Sequence, residues 1–282
     1  MAVRRRQNQF SNHERYIMNS QIRDFFRTDK AQEAHFQEVR FLSEEPGAVW
    51  DEVKGTGIPR GWFELSRVSM SDRVDFTREF WLSLLPYHPT ASAGIREFFD
   101  QLDDVAVILC RQTKEEPWRA ELAYSLADNS SFFRGLAPAD EEEIDWTMKK
   151  LNVNLPSDFR AFQLLHNGFG KLTELGVVPL DEMEDARESL ISALMRADKP
   201  LRSGERVVDP YSLYPFYEEF GGGCQCFYSE WYPASEMGNV YFSAIDYIIS
   251  DTSDRKGWPE HLAYPTFVEW LSSFINGMSV SF

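Results

Sequence analysis

The chain has 282 residues, 43% hydrophobic and 15% aromatic, enough apolar surface for a core that needs neither disulfides nor metal. Its 45 acidic residues outnumber 29 basic ones, a formal net charge of -16, so neither nucleic acid nor an anionic membrane is an expected partner, since both reward positive charge. No run approaches the roughly 18 apolar residues of a membrane span, and Arg4–Arg6 has no apolar stretch behind it, so the cytosol is the expected address.

The acidity is uneven. Residues 1–60 hold 10 basic and 9 acidic groups, residues 61–137 hold 8 and 12, and residues 138–282 hold 11 and 24. The last segment either attracts a basic protein or simply keeps a solvated surface. Cys110, Cys224 and Cys226 are too few, and odd in number, for a secreted disulfide framework.

Along the chain, the first forty residues are polar with scattered rings (Phe10, Tyr16, Phe25, Phe26, Phe36, Phe41) and read as two helices or a partly ordered extension. Glycines and prolines at 46–61 read as loop, without the spacing of a phosphate cradle. Ser71 is placed to cap a helix running to Leu85, with Phe76, Phe80 and Leu84 four apart and Pro86 as its stop. A second helix is expected over about 92–102, from the stripe Ile95, Phe98, Phe99, Leu102. Val105–Cys110 is apolar on both parities, as a central strand is, and the alternating Leu122, Tyr124, Leu126 follow it across a hairpin at Lys114–Pro117.

Asp140 begins a third helix, and the carboxylates of Glu141–Glu143 and Asp145 suit the positive end of its dipole, which accounts for this acidic run without a metal. Its buried face is Ile144, Met148 and Leu151. Leu155-Pro156-Ser157-Asp158 then enters a helix with the stripe Phe159, Phe162, Leu165, stopped at Asn167-Gly168. His166 at that helix end suits a protonated imidazole near the negative dipole. A short strand at Val177–Leu180, a helix from Ala186 to Ala197 with the stripe Leu190, Ala193, Leu194, Ala197, and an aromatic stretch at 209–220 follow. After Gly221–Gly223, Cys224–Tyr228 reads as a strand. Gly238-Asn239 turns into a long buried strand, Val240–Ile249, and Thr266–Glu269 is a capping box opening a helix with the face Phe267, Trp270, Leu271, Phe274, Ile275.

Four pieces in order, Leu155–Phe162, Asn167-Gly168, Gly238–Phe242 and Phe267–Leu271, resemble the SUKH superfamily, which takes in bacterial immunity proteins, Syd and the yeast cell-wall assembly regulators. The resemblance covers about residues 138–276 and implies an α+β fold, with helices packed on a mostly antiparallel sheet, here preceded by a largely helical N-terminal extension. It also implies a protein-binding module without known catalysis, often one that neutralises a toxin such as a nuclease. Three segments are expected: a poorly defined extension at 1–60, a helix-helix-hairpin region at 61–137, and the SUKH-like domain at 138–282.

No catalytic residue, cofactor or metal is assigned. The histidines His13, His35, His88, His166 and His261 are scattered, so Cys224 and Cys226 read as strand cysteines rather than a zinc site. The aromatic stretch at 211–232 either fills the core or presents a groove for a basic partner, with Tyr214, Tyr217, Glu218, Glu219, Glu230 and Trp231 as the candidate binding residues. The expected function is a non-enzymatic module, an immunity protein against a basic toxin. The alternative is a scaffold whose extension docks a second partner, with a hydrolase using carboxylates or Cys224 a distant third.

Overall fold

A computed structural model describes residues 19–27, 36–128, 131–172, 176–197, 199–219, 221–231, 236–250 and 263–277. Arg4–Arg6, Phe10, Tyr16, His13, His35, Phe220 and His261, which figure in the expectations above, lie outside the described residues. The first half comprises α1 (Ser20–Arg27), β1 (Glu38–Phe41), α2 (Trp50–Val53), α3 (Arg60–Leu65), α4 (Met70–Leu84), α5 (Pro89–Asp100), β2 (Leu102–Arg111), β3 (Arg119–Leu126) and β4 (Phe132–Leu136). The second half begins with α6 (Glu141–Leu151), α7 (Ser157–Gln163), β5 (Phe169–Lys171), β6 (Gly176–Val177) and α8 (Met183–Arg196). It continues with β7 (Arg202–Ser203), β8 (Arg206–Val207), β9 (Leu213–Glu218), β10 (Cys224–Tyr228), β11 (Asn239–Ser243), β12 (Ile248–Ile249) and α9 (Phe267–Ile275).

These strands join one sheet in the order β1-β2-β3-β4-β5-β6-β9-β10-β11-β12-β7-β8. Every pairing is antiparallel except that of β12 with β7. The chain is α+β, as expected. Strand β1 was not foreseen; it pairs along β2 from Glu38 opposite Arg111 to Phe41 opposite Ile108. The N-terminal segment therefore shares its sheet with the C-terminal one.

Apolar burial on both faces explains the sequence of β2. On one face, Val105, Val107, Leu122, Phe216 and Phe227 meet Trp81, Phe98, Phe99, Phe159, Phe162 and Trp270 from α4, α5, α7 and α9 in a continuous core. On the other, Ile22 and Phe26 of α1 cover Ala106, Ile108 and Ala123. At the far end of the sheet, Leu190 and Leu194 of α8 cover Leu213, Cys226 and Val240. A strand covered twice needs apolar residues at consecutive positions.

Several local expectations change. Ser69, not Ser71, caps α4: its extended backbone lets the hydroxyl accept from the Asp72 amide at 3.2 Å, leaving Ser71 inside the first turn. The stripe Phe76, Phe80, Leu84 is not the buried face of α4, which is Arg73, Val74, Thr77 and Trp81. The reason is an ion pair. Arg73 is buried because its Nε and Nη2 donate to Asp104 at 2.7 and 2.9 Å, and its Nη1 to the Val68 carbonyl at 2.8 Å. That pairing turns the helix and sends the phenylalanines outward. Leu102 opens β2 rather than closing α5, and α8 starts at Met183 with Ala193 exposed. The segment 240–249 is a hairpin, not one strand: the Ser243 hydroxyl accepts from the Asp246 amide at 3.3 Å, and Tyr247 turns at φ 57°.

Candidate functional site

Three of the four pieces that resemble the SUKH pattern meet at the N-terminus of α9. A helix start leaves amide N–H groups without intrahelical partners. Thr266 caps it, its hydroxyl accepting from the Glu269 amide at 3.3 Å. The expected capping box is incomplete, because the Glu269 carboxylate accepts the Thr266 hydroxyl at 2.8 Å instead of the Thr266 amide. A further acceptor for this helix start comes from α7: Asp158, buried, accepts from the Val268 amide at 3.0 Å and from the amide of its neighbour Phe159 at 2.9 Å. Burial pushes the Asp158 carboxyl above its usual pKa, against the pull of the amides.

Asn239 supplies the third arm. Fully buried, it accepts from Gln225 Nε2 at 2.7 Å and donates to the Thr266 carbonyl at 3.1 Å. Gly238 before it must be glycine, because a Cβ would stand 2.3 Å from the Trp231 ring. Asn167 accepts from the Leu180 amide at 2.7 Å, and Gly168 sits at φ 110°. These residues are thus hydrogen-bond partners and turns that position α7, α9 and the sheet.

His166 behaves differently from the expectation. It is buried rather than set at a solvated helix end, and burial lowers its pKa to about 4, so the ring is neutral at physiological pH. Nδ1–H donates to the Leu136 carbonyl at 2.9 Å, which leaves Nε2 to accept the Tyr124 hydroxyl at 2.6 Å. A stabilising role for imidazolium at the dipole does not apply.

The six candidate binding residues do not form one face. A β-bulge, seen as the register step between Gln225 and Cys226, breaks the alternation of β9. Tyr217 packs on Trp270 and Phe274, with ring centroids 5.1 Å from each. Tyr214 lies under the Arg187 guanidinium of α8 at 4.4 Å. Glu218 and Glu219 face a cavity beside the glycines 221–223. Burial and the nearby Glu182 raise the Glu218 pKa, and Glu219 accepts the Tyr241 hydroxyl. Glu230 is exposed, accepting the Tyr228 hydroxyl at 2.9 Å, while Trp231 is half-buried. Most rings of this stretch, Phe216 and Phe227 above all, belong to the core.

Cys224 and Cys226 lie on β10 with sulfurs 3.5 Å apart, and burial raises the Cys226 thiol well above its usual pKa, which keeps it a poor nucleophile. Among the described residues, no group of three or more His, Cys, Asp or Glu is placed to hold a metal. In the same residues, no helix is long and apolar enough to cross a membrane.

A second acidic surface lies on α6 and α8. Asp140 and Glu143 form the complete capping box that the sequence predicts, with Ile144 and Leu151 buried. On the outer side, Glu142 is exposed one helical turn before Trp146, itself 56% exposed with Lys150 Nζ 4.9 Å from its ring, while the exposed Glu141 and Asp145 pair with Arg160 of α7 at 3.5 and 3.3 Å. Lys150 also pairs with Glu184 of α8, whose Asp185 and Glu188 are exposed nearby. Trp146 was overlooked in the sequence. Its signal is its position off the Ile144–Met148–Leu151 stripe, where a tryptophan has no core to fill.

No curated protein matches the chain. The model of the SMI1 / KNR4 family (SUKH-1) matches residues 138–273, just under half of the chain, and this is the segment in which Asp158, Asn167, Asn239 and Thr266 make these contacts.

Proposed function

We propose that this segment is a non-enzymatic binding unit that captures a basic protein, with a nuclease-like toxin the kind its resemblance suggests. The observation that carries this is Trp146, an exposed ring with the exposed Glu142 one helical turn before it and Asp185 and Glu188 exposed on the neighbouring α8, in the most acidic part of the chain. A tryptophan anchor supplies buried area on docking, while the carboxylates steer a cationic partner and speed its association. Cys110, Cys224 and Cys226 are free thiols, which suits a reducing cytosol.

The test is capture from the native cytosol with the intact chain, with a Trp146→Ala variant, and with Glu142, Asp185 and Glu188 changed to lysine. A basic partner should be retained by the wild type, lost from the tryptophan variant, and associate more slowly with the charge-reversed one. Glu230→Lys with Trp231→Ala examines the surface singled out from sequence. Retention of the same proteins by every variant, or capture of acidic proteins alone, would overturn the proposal. Deleting residues 1–60 is a poor test of a scaffold role, because it strips β1 from β2 and α1 from the sheet.

A further inference from the structure

The outward phenylalanines of α4 have a second consequence. Phe76 and Phe80, 60% and 52% exposed, flank the mouth of a cavity of about 340 Å³ where the N-terminal segment meets the segment that matches SUKH-1. Trp62, Leu65 and Leu122 come from one side of that junction, and Pro138, Leu164 and Leu165 from the other. Ligand cavities favour such junctions.

Two features define what the space accepts. Among the described residues, no Lys, Arg, Asp or Glu lines it, in a chain of net charge -16. The polar side chains of Thr77, Trp81, Tyr124 and His166 are already paired with protein. Trp81 Nε1–H donates to the Tyr124 hydroxyl at 3.2 Å, that hydroxyl to His166 Nε2 at 2.6 Å, and His166 Nδ1–H to the Leu136 carbonyl at 2.9 Å. The Thr77 hydroxyl is engaged by the Arg73 carbonyl at 2.7 Å. An ionic ligand would shed its hydration and find no countercharge. Flat apolar molecules, by contrast, would meet the rings of Trp62, Phe76, Phe80 and Trp81.

We infer that this cavity is a binding site for a neutral aromatic small molecule of two or three rings, held by the aromatic walls and by Phe76 and Phe80 at the entrance. An apolar cavity of about 150 Å³ suffices for benzene, so the space here fits a larger ring system. The site is separate from the acidic surface of α6 and α8 and does not depend on its partner.

The probe is N-phenyl-1-naphthylamine, a neutral diaryl amine whose fluorescence rises in apolar surroundings, titrated into the full chain. Its sulfonated relative 1-anilinonaphthalene-8-sulfonate is the charged control. Saturable one-site binding of the neutral probe is expected, with a rise in Tm on addition and affinity at least about tenfold weaker for the sulfonate. Leu164→Trp, which fills the space, should abolish binding. Phe76→Ala with Phe80→Ala, at exposed positions that folding does not need, should weaken it by about tenfold or more. Tyr87→Ala, an exposed ring outside the cavity, should leave it unchanged. Absence of saturation, equal affinity for the two probes, or undiminished binding by the double phenylalanine variant would overturn the assignment.

Discussion

Removing the carboxylate of Asp158 isolates the contact that joins the two halves of the SUKH-1 pattern. In Asp158→Ala, the Phe159 and Val268 amides, 2.9 and 3.0 Å from the lost oxygens, are left without acceptors beside the core. Each unsatisfied buried donor costs about 1–3 kcal/mol. The sum is reduced because the carboxylate itself is costly to bury, as its raised pKa indicates. A net destabilisation of about 2–4 kcal/mol follows, a factor of roughly 30 or more in the folding equilibrium. Asp158→Asn keeps one acceptor oxygen and should lose about half as much. Urea denaturation gives both values, and hydrogen exchange at the Val268 amide shows whether the first turn of α9 loosens. An alanine variant within about 0.5 kcal/mol of wild type, or unchanged protection at Val268, would refute the capping account.

Three further outcomes follow from buried charge and close packing. Arg73→Met strands the Asp104 carboxylate and should cost about 3–5 kcal/mol, whereas Arg73→Met combined with Asp104→Leu should recover much of that; a double variant as unstable as the single one would show that the pair is not what the helix needs. The folded-state pKa of His166 lies near 4 against 6.5 for the free side chain, so its contribution is complete above pH 6.5 and is lost as pH falls toward 4. The full loss is about 3 kcal/mol. Asp104 and Asp158, with raised pKa values, act in the opposite direction on acidification. Stability between pH 7 and 4.5 should therefore fall more steeply in wild type than in His166→Gln, and equal slopes would contradict the neutral buried imidazole. In Gly135→Ala, the new Cβ stands 2.3 Å from His166 Nδ1, whereas at Gly47 it meets nothing within 4 Å; the first should lower Tm by an overpacking cost of about 1–3 kcal/mol and the second should not.

What could be read from the sequence was carried by local signals. The Asp140 capping box and the α9 stripe from Phe267 to Ile275 each reside within a few residues, where periodicity and capping act; the stop expected at Asn167-Gly168 comes earlier, since α7 ends at Gln163 and Gly168, at φ 110°, turns the chain into β5. The order of four such pieces sufficed for the family resemblance. The face that α4 buries did not follow from its own residues, because Asp104, thirty-one positions on, claims Arg73. Nor did the fate of His166, whose partners Tyr124 and Leu136 lie on β3 and β4. The candidate site suffered most. Its six residues adjoin in sequence, yet a bulge in β9 and the helices on both faces of the sheet send Tyr217 inward, Glu218 to the opposite side, and Glu230 to the solvent.

Composition and periodicity by themselves determined that the second half is acidic and where many of the helices and strands lie, since those depend only on how apolar and charged residues recur, while the α+β arrangement was what the family resemblance implied. Tertiary structure alone decided that the N-terminal strands extend the same sheet, that Asp158 caps a helix 110 residues away, and that Phe76 and Phe80 border a cavity instead of filling a core. The physical reason is that a buried polar group takes whichever partner the fold brings within hydrogen-bond reach, and sequence distance places no limit on that choice.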